Sequence, residues 1–240
     1  MKQFFGAALV GVAVLVMGGP AAQAALVYGS NLIVNGGAEA GAGSATGAEE
    51  AIPGWTTSST SAGFTAVQYG AAGGFPDSST PGPTDRGANF FGGGPNSASA
   101  SLSQSLSLSS WASAIDHGRV DFTLSGWFGG WGSQDDNAAL YVDFLRSAGT
   151  TISETVIGGV KAADRDDVTA LLYRQASGLI PVGTRKIIFT LKAVRSNGSW
   201  DDGYADNLSF VATPVAVPEP LGLAVLASGL LGLAAVRRRA

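Results

Sequence analysis

The chain predicts an all-β body, a β-sandwich of the jelly-roll type, with an apolar helical segment at each end. Three observations carry that prediction. Several segments alternate apolar and polar side chains with a period of two, which turns one strand face to a core and the other to solvent. Clusters of Gly, Pro, Asn and Asp interrupt them at short intervals and supply turns. No stretch of the body keeps a helical period, and short strands of this kind bury their apolar faces as two packed sheets.

The first segment, "MKQFFGAALVGVAVLVMGGPAAQA", has the layout of a secretory signal peptide. Lys2 is the basic start, Phe4 to Met17 the apolar run, and Gly18-Gly19-Pro20 the helix break. Ala22-Gln23-Ala24 is a small-x-small cleavage site. Residues 1–24 are expected to be removed after Ala24, so that the mature chain begins at Ala25.

Residues 25–215 form the predicted sandwich. Residues 97–108, "SASASLSQSLSL", put Leu102, Leu106 and Leu108 on one face and mostly Ser on the other. "RVDFTLSGWF" aligns Val120, Phe122 and Leu124; "AALYVDFLR" aligns Leu140, Val142 and Phe144; "RKIIFTLKAV" aligns Ile187, Phe189 and Leu191. Shorter strands fit residues 31–34, 64–69, 88–91, 151–157, 169–174 and 208–212, and a short helix or turn fits 108–115. The loop 70–86, "GAAGGFPDSSTPGPTDR", reads as a mobile surface connection.

Residues 216–240 form a tail, "VPEPLGLAVLASGLLGLAAVRRRA" from Val217. Its apolar run, Leu221 to Val236, is shorter than the roughly 20 residues that cross a bilayer comfortably. Arg237, Arg238 and Arg239 would hold its end on the cytoplasmic side. A short span behind a helix-breaking Pro218-Glu219-Pro220 is laid out like a sorting signal that is later cut. The three parts in this order resemble the PEP-CTERM sorting tail of Gram-negative bacteria. The resemblance implies recognition by an exosortase, transient residence in the inner membrane, cleavage near Pro218 to Pro220, and delivery to the cell surface or to an extracellular matrix of the biofilm or floc kind.

Two stretches of the body form a second resemblance. "SNLIVNGGAEAG" from Ser30 and "SWDDGYADNLSF" from Ser199 are similar to the opening and closing strands of galactose-binding-like jelly rolls, the fold of many carbohydrate-binding modules. The resemblance implies a structural Ca2+ where the two strands meet. Asn35 and Gly37 would offer backbone carbonyls, and Glu39 and Asp206 carboxylates, which suits a cation that takes six to eight hard oxygens. Ala38 departs from the pattern, which has an aromatic there. The other reading of Glu39 and Asp206 is that they are solvated turn residues.

Candidate ligand-binding residues are Trp127 and Trp131, at a glycine-spaced strand end, with Asp135, Asp136 and Asn137 close behind. Flat rings stack on the apolar face of a sugar, and neighbouring carboxylates and amides bond its hydroxyls. Trp127 is equally placed for a core, and the acids for a hydrophilic turn.

Catalysis finds little support in the sequence. His117 is the single histidine, there is no cysteine, and no nucleophile elbow or phosphate loop is present. The chain is expected not to be an enzyme, a small glycan-active enzyme being the weakest alternative. Removing Lys2 and the three terminal arginines from fourteen basic residues, and Glu219 from eighteen acidic ones, leaves the body near −7, a poor match for nucleic acid. The expected function is a surface or matrix protein that binds extracellular polysaccharide, the alternative a self-associating matrix component without sugar recognition.

Overall fold

The structure, a computed structural model, describes residues 26–57 and 63–216. The signal peptide with Ala24 and the tail with Pro218, Glu219, Pro220, Arg237, Arg238 and Arg239 lie outside the described residues. Among the described residues no helix is long and apolar enough to cross a membrane.

Ten strands follow in order: β1 Thr56–Thr57, β2 Thr65–Gln68, β3 Asn89–Pro95, β4 Ser99–Ser107, β5 Val120–Gly130, β6 Asn137–Leu145, β7 Thr151–Gly158, β8 Ala170–Leu179, β9 Lys186–Val194 and β10 Trp200–Pro214. A 3-10 turn, Ser109–Trp111, leads into the short helix α1, Ala112–Asp116, and a second 3-10 turn covers Ala162–Arg165. One sheet runs β1-β4-β9-β6-β7 and the other β2-β3-β10-β5-β8. Every strand pairing is antiparallel. From β3 onward the chain changes sheet at each step except between β6 and β7, which interlocks the two layers.

Alternation sets the register. Leu102, Leu191 and Leu140 lie abreast across β4, β9 and β6, all turned inward and at most 2% exposed. A slip of one residue would expose the whole row. From the facing sheet come Phe122 and Phe210, stacked at 5.2 Å, with Phe144 and Phe189 against them. Each buried ring contributes about 1.5–3 kcal/mol, so this cluster holds the sheets together.

Some expectations change. Leu106 is only half-buried, and Leu108 is buried beyond the strand, at the 3-10 turn. Residues 31–34 form no strand; Asn31 makes one isolated bridge to Val211. The cause is its side chain. Asn31 Nδ2 donates to the Leu208 carbonyl, and its Oδ1 accepts the Ile33 and Phe210 amides. The carboxamide thus takes over part of a backbone ladder, of which the Leu32 amide to the Phe210 carbonyl at 2.8 Å remains.

The loop 70–86 is tied down rather than loose. Arg86 donates to the carbonyls of Asp77, Thr80 and Pro83, and the Asp77 carboxylate accepts the amides of Ser79 and Thr80. Ala71 and Phe75 join Val67, Phe90, Leu171 and Tyr204 in a second apolar cluster. This loop therefore covers part of the outer face of the β2-β3-β10-β5-β8 sheet, where Pro and Gly fix a path instead of freeing one.

Candidate functional site

β10 departs from regular pairing twice, between Asp201 and Tyr204 and between Asp206 and Ser209. Each irregularity lies beside a cluster of polar side chains, as bulges do when they re-aim residues.

The first cluster surrounds a cleft of about 390 Å3. Phe75 and Ala72 enter it from the β2–β3 loop, Trp131 and Gln134 from the β5–β6 loop, and Ser199, Trp200 and Asp202 from the start of β10. Trp131 is 41% exposed, the only exposed large aromatic among the described residues of this lining. Trp200 is held by Phe75, edge to face at 4.8 Å. It lies over Gly92, where a Cβ would come within 2.8 Å of the indole ring. Gly93 leaves the same clearance on the opposite face, where a Cβ would meet the Asp201 carboxyl at 2.4 Å. The glycine run of β3 is the complement of a bulky residue on each face of β10.

Two buried charged residues fasten the loops of this cleft. Asp136 is fully buried. Its Oδ1 accepts the Ser196 amide and hydroxyl at 2.6 and 2.7 Å and the Asn197 amide at 3.1 Å, and its Oδ2 accepts the Asp202 amide at 2.9 Å. Arg165, 2% exposed, donates to the carbonyls of Gly132, Gln134 and Val168. Burial holds its pKa below the usual guanidinium value, with partial compensation from Tyr204 and nearby carboxylates. One residue holds the 196–202 side and the other the 131–134 side.

The acids beside the cleft titrate far from their ordinary range. Burial pushes Asp202 up to about 6, opposed by the Tyr204 hydroxyl that it accepts at 2.6 Å and reinforced by Asp136. Burial pushes Asp201 up to about 7; the Gly203 amide opposes this, and the charges of Asp136 and Asp202 add to it. Asp201 Oδ2 is buried with no partner among the described residues.

Of the residues that the sequence offered as ligand-binding, Trp131 lines the cleft. Trp127 does not. It belongs to the outer apolar cluster, edge to face with Tyr173 at 5.6 Å. Asp136 is corrected from a ligand contact to a loop fastener, because both its oxygens are engaged below the surface. Asp135 is exposed but accepts the Ala162 amide, and Asn137 opens β6 with its side chain donating to the Asp135 carbonyl. Phe75, Gln134, Trp200 and Asp202 were not singled out. The alternation of "WDDGY" held the clue, since Trp200, Asp202 and Tyr204 lie two apart.

The second cluster is the corner where residues 35–39 meet β10. Gly37 sits beside Asp206 and Asn207: a Cβ there would lie 3.6 Å from Asp206 Oδ1, 3.5 Å from Asn207 Oδ1 and 3.6 Å from Glu39 Cγ. Asp206, 1% exposed, accepts the Tyr69 hydroxyl at 2.7 Å and the Asn207 amide at 2.7 Å. Burial pushes it up to about 7 against those bonds, and Glu39 and Asp85 reinforce the rise. Glu39 Oε1 accepts the Ala88 and Asn89 amides at 2.9 and 2.8 Å. Asn35 is not placed as a ligand, because its carbonyl already accepts the Trp55 indole and the Ala38 amide. Asn207 offers an amide oxygen in its stead. Among the described residues no three His, Cys, Asp or Glu side chains converge as a metal cage. Asp206 Oδ1 and Asn207 Oδ1 thus lie together at Gly37 while Glu39 Oε1 is turned to the Ala88 and Asn89 amides, a set that fits only a cation drawing most of its ligands from carbonyls and water.

No protein-family model matches the chain, and no curated protein matches it. Among solved structures it is similar to a family 16 carbohydrate-binding module, at 20% identity over 75% of this chain and 99% of that one, with a TM-score of 0.47. It is similar to the CBM22-1 xylan-binding domain of Paenibacillus barcinonensis Xyn10C, at 13% identity over 72% and 93% of the two chains, with a TM-score of 0.37. It is also similar to the K3 cleaved adhesin domain of Lys-gingipain from Porphyromonas gingivalis, at 13% identity over 65% and 91%, with a TM-score of 0.33.

Proposed function

We propose that this chain is an exported, non-catalytic carbohydrate-binding protein of a bacterial surface or extracellular matrix, and that its sandwich holds exopolysaccharide in the cleft at the start of β10. The observation that carries this reading is the exposed Trp131 facing a cleft with Trp200, Phe75, Gln134 and Asp202. Aromatic faces take the C–H side of a sugar ring, and a few oriented polar groups fix its hydroxyls. Both walls are held before any ligand arrives, by Asp136 and Arg165, so little ordering opposes binding.

Location enters from the ends of the chain. The signal-peptide pattern and the Pro218-Glu219-Pro220 tail with its terminal arginines support export, inner-membrane passage and exosortase processing. The same proposal includes a structural Ca2+ at the Gly37, Glu39, Asp206 and Asn207 corner. There it would neutralise the buried Asp206 carboxylate and tie residues 35–39 to β10.

The test is retardation of the full chain in native gels containing exopolysaccharide from the producing cells. Retardation that Trp131→Ala abolishes supports the reading. Equal mobility with and without polysaccharide leaves self-association as the better account.

A further inference from the structure

Among the described residues the cleft lining carries one charged side chain, Asp202, and it is negative. Asp202 Oδ1 accepts the Tyr204 hydroxyl, while Oδ2 accepts nothing among the described residues. Gln134 also lines the cleft, but its Oε1 is buried, without a partner among the described residues. Among the described residues no Lys, Arg or His lines the cleft. The neighbouring cations are engaged elsewhere: Arg165 on the carbonyls of Gly132, Gln134 and Val168, and Arg195 on that of Ser199. Behind Asp202 stand two further carboxyls, Asp136 and Asp201, both fully buried.

The site is therefore rich in acceptors, poor in cations, and walled by three aromatic rings. A carboxylate with a free oxygen among aromatic faces receives an organic ammonium: the oxygen takes an N–H bond, and the ring quadrupoles attract the charge. Resting on the carbohydrate-binding reading of this cleft, we infer that it selects amino-sugar polymers bearing unacylated ammonium groups over N-acetylated or uronic-acid polymers. The ammonium donates to Asp202 Oδ2, while the sugar ring lies on Trp131. Acetylation removes the charge and two of the donors. A uronate brings a second negative charge toward Asp202, and no cation on the lining compensates it. Burial pushes Asp202 up to about 6, and a bound ammonium draws it back down, so the charged pair forms when ligand arrives.

The experiment is calorimetric titration of the full chain, in a zwitterionic detergent that contains no sugar, at a pH just above the Asp202 value of about 6. The probes are glucosamine oligomers, N-acetylglucosamine oligomers of equal length, and oligomers of a uronic acid. Glucosamine oligomers are expected to bind on the order of tenfold more tightly than the acetylated ones. In Asp202→Asn, which still accepts the Tyr204 hydroxyl, that ratio is expected to fall to within about twofold. Equal affinity for the two oligomers, an unchanged ratio in Asp202→Asn, or a preference for the uronate overturns the inference. Binding of exopolysaccharide without an amine preference overturns it while leaving the carbohydrate reading in place. Absence of binding to every oligomer and to exopolysaccharide ends both.

Discussion

Asp201→Asn should stabilise this protein at alkaline pH, although the residue it removes is fully buried and hydrogen-bonded. Asp201 Oδ1 accepts the Gly203 amide at 3.0 Å, but Oδ2 has no partner among the described residues. The carboxyl loses its proton at about 7 in the folded chain and at 3.8 in the ordinary case. The folded state therefore holds a proton that the unfolded state has released. Between those values stability falls as pH rises, and above about 7 the full penalty is present. A shift of that size corresponds to about 4 kcal/mol. Asparagine ionises nowhere, keeps the acceptor for Gly203, and adds an NH2 group whose unmet bonds cost about 1–3 kcal/mol. The net gain expected at pH 8 is about 1–3 kcal/mol, or several degrees in Tm for a domain of this size. At pH 4 the wild-type acid is itself mostly neutral, and the variant should be the less stable of the two. Thermal unfolding of both proteins at the two pH values is the assay. A variant less stable at pH 8 by as much as at pH 4 would refute the reasoning, since it would mean that Asp201 is ionised and well partnered when folded.

Other outcomes follow from the same structure. Asp136→Ala leaves four donors on Ser196, Asn197 and Asp202 without their acceptor; it should cost about 3–5 kcal/mol, seen as a lower urea midpoint. Trp131→Ala should weaken polysaccharide binding about tenfold or more with little change in Tm, because the ring is 41% exposed. Gly92→Val should displace Trp200, whose ring a Cβ would approach to 2.8 Å, and a changed tryptophan emission would report it. Calcium at a hundred times its Kd should stabilise the chain by about 2.7 kcal/mol, an increment that chelator removes and that Asp206→Asn abolishes.

The long strands were legible because burial on one face writes a period of two directly into the sequence, as in Phe122 to Phe128 and Ile187 to Leu191. Residues 31–34 read as a strand, because nothing in three apolar residues after an asparagine reveals that its carboxamide will take over part of the ladder. The order of loop 70–86 is not legible in its composition, because it depends on Arg86 and Asp77 reaching carbonyls and amides several residues away. Trp131 was legible as an aromatic in a glycine-spaced turn. Its partners were not. Phe75 and Gln134 come from two separate loops, and Trp200 and Asp202 from the start of a third element, and only the pairing of β10 with β3 on one side and β5 on the other brings them together. Asp136 shows the reverse case: an acid next to a tryptophan reads as a contact, while four donors from the β9–β10 side claim it as structure.

The central claim is that the cleft at the start of β10 binds polysaccharide. Calorimetric titration of the full chain against exopolysaccharide from the producing cells, first with calcium and then with chelator, tests it most directly. The account predicts saturable heat in both conditions, lost in Trp131→Ala and retained in Trp111→Phe, whose ring stacks on Tyr28. A folded protein that gives no heat with either, or that binds equally well without Trp131, would contradict it.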